Sequence, residues 1–396
     1  MQREHRPSPR EAAFPLGAKL SLEQLRSDPH PTLARLREHE PVSWVPALEG
    51  WLVTRHDLAL EVMRDAEVFT VDDPRFSTAL VVGPSMLSLD GLRHAQHRAP
   101  FVAPFRPAQV RARFAEVAAQ QAELLLDRLA PAGAAELRRE FAGPMAGSII
   151  AVALGLELRE VPSVLAWYEA IVGSVTSITA GAGATVEGEQ AVRGLRARLE
   201  RVVAGDPNAS LLAAAASRSG LTNEEITSNA AVLLFGGIET TEGMIANAIL
   251  QLLELPEQLE LLRRDPQLLD AAIDESLRLE PAATVIDRYA SAELALAGAS
   301  IARGELVRVS IAAANRDPAV FDDPDRFRLD RANGRRHLAF AQGPHVCVGI
   351  HLARLEARAA LAALLRRLPG LRLDPQRSAA PQGLVFRKPP RLDVVW

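Results

Sequence analysis

The chain has 396 residues, of which 48% are hydrophobic and 24% charged, a balance typical of a folded globular protein rather than a disordered one. Its formal net charge of −4 excludes a global basic field of the kind that binds nucleic acid or anionic membranes. With one cysteine, the chain can form neither an internal disulfide nor a cysteine-rich zinc site, which fits a reducing cytosol.

The N-terminal ten residues are polar and contain proline, without the apolar segment of a signal peptide. Apolar runs such as 230–235 are far shorter than the roughly 20 residues that a membrane span requires. We therefore expect a soluble, cytoplasmic protein whose partners include neither a membrane nor nucleic acid.

Periodicity along the chain indicates mostly helices. Apolar residues at helical spacing predict helices over 109–129, 222–253, 256–264, 267–279 and 349–368. Strand patterns are few, and fall at 42–53, 294–296, 306–311 and 392–396. Stretches rich in Gly and Pro predict loops at 83–84, 181–188 and 317–325, but none divides the chain. The expected fold is mainly α with small β-sheets, in a single large domain over residues 1–396.

Several catalytic motifs are absent from the sequence, among them the P-loop, H-E-x-x-H and G-x-S-x-G. The most informative stretch is F-x-x-G-x-H-x-C-x-G, formed by Phe340, Gly343, His345, Cys347 and Gly349. The glycines permit backbone conformations and close approaches that a side chain would prevent. A helix predicted just after the cysteine would stabilise a thiolate, the form that binds metal.

This stretch resembles the ligand loop of the cytochrome P450 family, in particular its soluble bacterial members. The resemblance implies the P450 fold, haem b (iron-protoporphyrin IX) and Cys347 as the axial ligand to the iron, with Phe340 and Gly349 beside the cofactor. It also implies monooxygenation of a small hydrophobic organic substrate by dioxygen. Ala341 departs from the family, which usually has glycine at this position, and we expect it to alter the geometry of the loop.

A second motif lies inside the helix predicted at 222–253. Gly236 and Gly237 each cost roughly 1 kcal/mol in a helix interior, so another constraint overrides helix propensity there. A threonine hydroxyl can bond the carbonyl four residues back and open the helix. The resemblance implies that this segment crosses above the haem, with Gly236 beside the cofactor and dioxygen in the groove of the helix, and that Glu239 and Thr240 deliver protons. The alternative is a close helix–helix crossing with a solvent-facing Glu239.

Charged residues form two further sets. Glu275 and Arg278, three residues apart, match the family's E-x-x-R pair, with Arg326 as the second arginine of a structural network. Buried haem carboxylates require cationic donors, and four residues match the family's propionate-binding positions: His94, Arg98, Arg288 and His345. His97 and His351 have no matching role and are interpreted as surface or packing residues.

Because no reductase is fused to the chain, the resemblance implies a separate ferredoxin and an NAD(P)H-dependent ferredoxin reductase. A basic patch for docking could consist of Arg335, Arg336, Arg354 and Arg358, although scattered solubilising arginines explain them nearly as well. Substrate contacts are expected from 71–87, 167–188, 233–237, 283–286 and 385–386. Three alternatives stay open: oxidative coupling or peroxide-driven oxidation on the same scaffold, non-catalytic haem or gas binding, and a helical interaction protein with a merely buried cysteine.

Overall fold

The structure is a computed structural model that describes residues 8–179, 183–206 and 210–396, without the side chains of residues 179 and 218. The α-helices within these residues are α1 (Pro9–Ala13), α2 (Leu22–Ser27), α3 (His30–His39), α4 (His56–Arg64), α5 (Ser77–Val82), α6 (Gly91–Val102), α7 (Pro107–Leu129), α8 (Gly143–Leu154), α9 (Val161–Thr179), α10 (Val186–Val203), α11 (Leu211–Ser219), α12 (Asn223–Glu254), α13 (Pro256–Arg264), α14 (Leu269–Leu279), α15 (Ile311–Ala314) and α16 (Ile350–Arg367). The β-strands are β1 (Val42–Val45), β2 (Gly50–Val53), β3 (Phe69–Thr70), β4 (Ala134–Glu136), β5 (Val285–Ala290), β6 (Leu294–Leu296), β7 (Ala299–Ile301), β8 (Leu306–Ser310), β9 (Arg372–Leu373) and β10 (Asp393–Val395).

The helices begin where the sequence supplies caps. Oγ1 of Thr222 accepts a hydrogen bond from the backbone N–H of Glu225, and the carboxylate of Glu225 accepts one from the backbone N–H of Thr222, so a reciprocal capping box starts α12. Proline occupies the first turn of α7 and of α13, where its missing N–H costs nothing. The predicted helices at 109–129, 222–253, 256–264 and 349–368 are confirmed to within two residues. The one at 267–279 is confirmed with a 3₁₀ turn at Pro266–Leu268 leading into α14.

The chain divides into two compact units. The first comprises the described residues of 1–70, 274–346 and 381–388. It contains a five-stranded sheet in the order β1-β2-β8-β5-β3 and the hairpin of β6 and β7. The predicted strand at 42–53 is wrong as one element: β1 and β2 are antiparallel neighbours, separated by a 3₁₀ turn at Pro46–Leu48. Trp51, Val307 and Val309 lie in the apolar core beside this sheet.

The second unit comprises the described residues of 71–273, 347–380 and 389–396. It contains α5–α13 and α16, together with a three-stranded sheet in the order β4-β10-β9. The described part of α12 is buried for most of its length, as the long apolar pattern of its sequence requires. The predicted loop at 181–188 lies partly outside the described residues, and its last three positions, 186–188, belong to α10 instead.

The mainly helical fold with small sheets agrees with the sequence prediction, whereas the extent of a single domain over 1–396 stays a prediction. Among the described residues, one helical segment, Leu158–Ile178, is long and apolar enough to cross a membrane, with 28% of it buried. Core helices of globular proteins satisfy the same two criteria, so this segment is a weak indication of a membrane span.

Candidate haem-thiolate site

The loop before Cys347 belongs to the first unit. Gly343 has a φ of +75°, and a Cβ added there would lie 2.4 Å from the carbonyl oxygen of Met63. The requirement for glycine at this position is therefore confirmed. Ala341 has a φ of +57°, a left-handed conformation that costs a non-glycine residue roughly 1–2 kcal/mol. The loop thus keeps the left-handed geometry at Ala341 at the expense of strain.

Cys347 belongs to the second unit as the first residue of its segment 347–380, and it lies just before α16, whose N-cap is Gly349. Its side chain is accessible to solvent, yet it lies among protein atoms dense enough to desolvate it. This desolvation raises the pKa of the Cys347 thiol, while the backbone N–H of Gly349 and the charge of Arg98 act in the opposite direction. The helix start therefore favours a thiolate only in part; a thiol that coordinates a metal ion is deprotonated outright.

Gly349 does not need the backbone conformational freedom of glycine that the sequence suggested. Its φ is −88°, which any residue can adopt, and an added Cβ would make an ordinary 3.9 Å contact with Sγ of Cys347. Of the two flanking glycines, only Gly343 is required by backbone conformation. The expectation of a special conformation at Gly349 is wrong.

Two of the predicted propionate donors lie on α6, one turn apart. His94 is buried, and Arg98 is half-buried with its guanidinium close enough to Cys347 for their charges to interact. Burial lowers the pKa of Arg98, and the charge on Cys347 counteracts this shift. The structure therefore brings Arg98 to the cysteine, which sequence order alone could not establish.

The other two predicted donors belong to the first unit. Arg288 lies on β5 with only 4% of its surface exposed, and its Nη1 donates to the carbonyl oxygen of Asp287 at 2.8 Å. A buried guanidinium is costly unless its donors are hydrogen-bonded. His345 ends the 3₁₀ turn at Gly343–His345 and is half-buried, as is Phe340, whose ring lies 5.8 Å from that of His337.

The glycine-threonine motif lies in the middle of α12. Oγ1 of Thr240 donates to the carbonyl oxygen of Gly236 at 2.6 Å, which confirms the predicted bond four residues back. Leu233, Gly236, Gly237 and Thr240 are the partly accessible residues of this stretch, at the spacing of one helical face. A Cβ added at Gly236 would meet nothing within 4 Å, so there is open space beside this turn of the helix.

Glu239 does not face solvent, and the alternative of a solvated carboxylate is wrong. It is 4% exposed, and its Oε2 accepts a hydrogen bond from the hydroxyl of Tyr168 on α9. One turn later, Oε1 of the equally buried Glu242 accepts from Nε of Arg138 at 2.7 Å. Sequence reasoning missed Tyr168, Glu242 and Arg138, because no local spacing signals contacts across 71 and 104 residues.

The E-x-x-R pair is fully buried, as expected for a structural network. Arg278 donates to both carboxylate oxygens of Glu275 at 2.8 Å. The second arginine, however, is Arg331, whose Nε lies 2.9 Å and 3.0 Å from the same two oxygens. The prediction of Arg326 is wrong, since its side chain is exposed and only its carbonyl oxygen accepts hydrogen bonds from Arg278 and Arg331.

Other predicted residues have more ordinary surroundings. His97 is a packing residue, buried to 1% exposure, and its Nδ1 lies 3.0 Å from Nδ2 of Asn229, whereas His351 is exposed. Among the arginines of the predicted patch, Arg336 is exposed, Arg335 pairs with Asp274 and Arg358 pairs with Asp270. These pairs reduce the local positive charge, but leave the arginines at the surface.

The segments predicted to contact substrate are only partly connected by the structure. Residues 283–286 and 385–386 are neighbours, because Ala283 forms a bridge with Phe386 and the backbone of Thr284 donates to the carbonyl of Val385. Residues 71–87 include the short helix α5. The segment 167–188 lies partly outside the described residues.

Comparison with known proteins gives the family. A sequence model described as Cytochrome P450 matches residues 206–392. Nocardicin C N-oxygenase of Nocardia uniformis subsp. tsuyamanensis is 34% identical over 402 residues, covering 97% of this chain and 98% of the relative. Cytochrome P450 monooxygenase PikC of Streptomyces venezuelae is 36% identical, covering 88% and 86%. Among solved structures, CYP109E1 from Bacillus megaterium in complex with testosterone has a TM-score of 0.84 at 27% identity, covering 94% and 98%.

The fold and these relatives define a haem-thiolate monooxygenase that acts on small organic molecules. The chain belongs to the cytochrome P450 family and is similar to its bacterial members. Its cofactor is haem b. The second unit fits this group: it offers an accessible thiol, an arginine beside that thiol, and open space beside Gly236 on α12. When bound, haem b supplies the dioxygen chemistry, while the protein supplies orientation and electrostatics.

Proposed function

We propose that Cys347 is the axial haem ligand of this monooxygenase. The observation that supports it best is the placement of the only thiol of the chain. Cys347 is accessible to solvent directly before α16, with the N–H of Gly349 and the guanidinium of Arg98 oriented to favour the thiolate. Thiolate donation to haem iron favours cleavage of the O–O bond.

We propose further that His94, Arg98, Arg288 and His345 hold the two haem carboxylates. Their burial or partial burial supports this role, because it limits the water that would otherwise weaken such hydrogen bonds. Phe340 and Gly349 are proposed to border the macrocycle, one before and one after the cysteine. Gly349 is suited to this position because its missing side chain leaves Sγ of Cys347 uncovered.

Proton delivery is assigned to Glu239 and Thr240, and Gly236 is proposed to lie beside the cofactor, with dioxygen in the open space there. Three features support this assignment: the bond from Thr240 to Gly236, the open space at Gly236, and a carboxylate on the adjacent residue. The accessible face of α12 that carries Gly236 and Thr240 is otherwise made of Leu233 and Gly237, so we propose a hydrophobic substrate next to it.

Electrons are proposed to come from a separate ferredoxin and an NAD(P)H-dependent ferredoxin reductase, in a cytoplasmic setting. The exposed Arg335 and Arg336 support this partner, because an acidic ferredoxin would meet positive charge there. The cytoplasmic setting is supported by the lone, reduced cysteine.

The test is the carbon monoxide difference spectrum of the reduced holoprotein, compared with that of Cys347→Ala. We expect the thiolate-type band of the wild type to be lost in the variant, together with most of the bound haem, while far-ultraviolet circular dichroism stays helical. Wild-type haem content and an unchanged spectrum in Cys347→Ala would disprove the ligand assignment.

A further inference from the structure

The carboxylate of Glu239 takes part in a buried contact between α12 and α9. The hydroxyl of Tyr168 lies against Oε2 of Glu239, and the two residues are 6% and 4% exposed. A tyrosine hydroxyl has a single proton to donate, and an ionised carboxylate can only accept. A carboxylate removed from water needs such donors. The contact therefore ties the orientation of Glu239 to α9.

The surroundings of Glu242 indicate which of the two carboxylates accepts the proton of the Tyr168 hydroxyl. Oε2 of Glu242 is 3.5 Å from the same tyrosine hydroxyl, at the limit of a hydrogen bond. Its Oε1 accepts from Nε of Arg138 at 2.7 Å, and Arg138 is fixed in turn by a bond from Nη1 to the carbonyl oxygen of Pro390 at 2.8 Å. Because Arg138 already balances Glu242, the hydroxyl proton of Tyr168 is directed to Glu239.

Thr240 has a different partner. Its hydroxyl donates to the carbonyl oxygen of Gly236, on the accessible face of α12. The carboxylate and the alcohol that are proposed to deliver protons are thus adjacent in sequence but bonded to separate groups. The hydrogen bond from Tyr168 to Oε2 therefore opposes a rotation of the Glu239 carboxylate toward the Thr240 side, where it would exchange a proton.

We propose that Tyr168 is a positioning residue that restrains Glu239 on the α9 side of α12 and thereby limits proton delivery in the resting enzyme. The proposal rests on the proposed function of Glu239 and Thr240. A shift of α9 that separates the hydroxyl from the carboxylate would release the restraint. Tyr168 itself touches neither substrate nor cofactor in this role.

The contact can be tested without turnover, because the chain has two tyrosines. In Tyr289→Phe, the ultraviolet Raman Fermi doublet of tyrosine reports Tyr168 alone, and we expect the intensity ratio of a strong hydrogen-bond donor to a negative acceptor. Adding Glu239→Gln should shift the ratio to that of a weaker donor. A ratio that does not respond to Glu239→Gln would overturn the proposal.

The restraint itself is tested by oxidation of NADH with dioxygen and no organic substrate, using a plant-type ferredoxin and its reductase as the electron source. Tyr168→Phe removes one hydrogen bond to a charged group, so we expect a roughly tenfold faster oxidation and a smaller solvent deuterium isotope effect. Tyr289→Phe is the matched control and should behave as the wild type. A merely structural role for Tyr168 would lower haem content and activity instead.

Combining Tyr168→Phe with Glu239→Gln should abolish the acceleration. An unchanged or slower rate in Tyr168→Phe, at wild-type haem content, would overturn the proposal. A different result bears on the proposed function alone: if Glu239→Gln by itself leaves the rate and isotope effect unchanged, Glu239 does not deliver protons. The Raman measurement remains decisive for the contact should Tyr168→Phe fail to fold.

Discussion

Single backbone positions decide the geometry of the loop before Cys347. Ala341 and Gly343 both have positive φ, and a Cβ added at Gly343 would also collide with the backbone of Met63. Alanine at 341 shows that the left-handed conformation alone is tolerated in this loop. At Gly343, the left-handed conformation and the lack of space act together. A side chain there would force the backbone at Met63 to move, which costs more than a side-chain rearrangement.

Gly343→Ala should therefore destabilise the protein by at least about 2 kcal/mol, from left-handed strain plus the displaced backbone of Met63. The unfolding temperature of the holoprotein and its haem content would both fall. Gly349→Ala is the matched variant, since its φ is −88° and an added Cβ makes ordinary contacts, and its effect on the unfolding temperature should be smaller. Equal losses in the two variants would contradict the argument.

Among individual residues, the sequence predicted those contacts that depend on a short motif. The position of Cys347 before a helix and the bond from Thr240 to Gly236 depend on residues a few positions apart. Tyr168 could not be predicted, because its contact with Glu239 depends on how α9 packs on α12. Arg331 was missed for a similar reason: Arg326 and Arg331 are both near the expected position, and only loop conformation decides which side chain turns inward.

Among the elements, the network around Glu275 connects α14 to the loop at 326–331. Arg331→Met would leave a buried carboxylate with one guanidinium fewer, and breaking a buried pair costs roughly 3–5 kcal/mol. Arg326→Met is the control, because only its backbone carbonyl takes part. Urea denaturation should show a large decrease in the free energy of unfolding for Arg331→Met and a decrease within about 0.5 kcal/mol for Arg326→Met. The reverse order would restore the sequence-based assignment of Arg326.

The pair of Glu160 and Arg198 joins the start of α9 to α10. Hydrogen bonds from Arg198 lower the pKa of Glu160 from 4.5 to about 2. A carboxyl whose folded pKa is depressed stabilises the fold above its unfolded pKa and loses this contribution as pH falls. The unfolding temperature of the wild type should therefore exceed that of Arg198→Gln at neutral pH, and the difference should shrink between pH 4.5 and 2.

Arg193→Gln provides the comparison on the same helix, because Arg193 and Glu189 are both exposed and 3.6 Å apart. Such surface pairs contribute little, so Arg193→Gln should follow the wild type over the same pH range. A difference between wild type and Arg198→Gln that does not change with pH would show that Arg198 stabilises the fold by packing rather than through the charge of Glu160.

For the whole molecule, a net charge of −4 gives no general attraction for an acidic electron donor, so any steering has to come from local charge. Arg335→Glu with Arg336→Glu should slow reduction by ferredoxin, most clearly at low ionic strength, but leave reduction by dithionite unchanged. Stopped-flow reduction measures both. Arg193→Glu, a single charge reversal on α10, should have little effect.

Because Arg335 pairs with the buried Asp274, the double variant also needs its unfolding temperature measured beside the rates. Equal slowing with ferredoxin and with dithionite would place the defect in the haem environment rather than in docking. The mainly helical architecture and the bounds of α7, α12, α13, α14 and α16 were predictable from periodicity. The surface pairs that weaken this patch were not, since they join residues 61 and 88 positions apart.

The adjacent glycines of α12 offer unequal freedom for redesigning the enzyme. A side chain introduced at Gly237 would collide with Ile150, since its Cβ would lie 2.9 Å from that residue, whereas a Cβ at Gly236 projects into open space. Directed evolution of selectivity should therefore recover functional variants from a saturation library at position 236 more often than from one at 237. Of these two adjacent glycines, Gly236 should therefore accept a side chain more readily than Gly237.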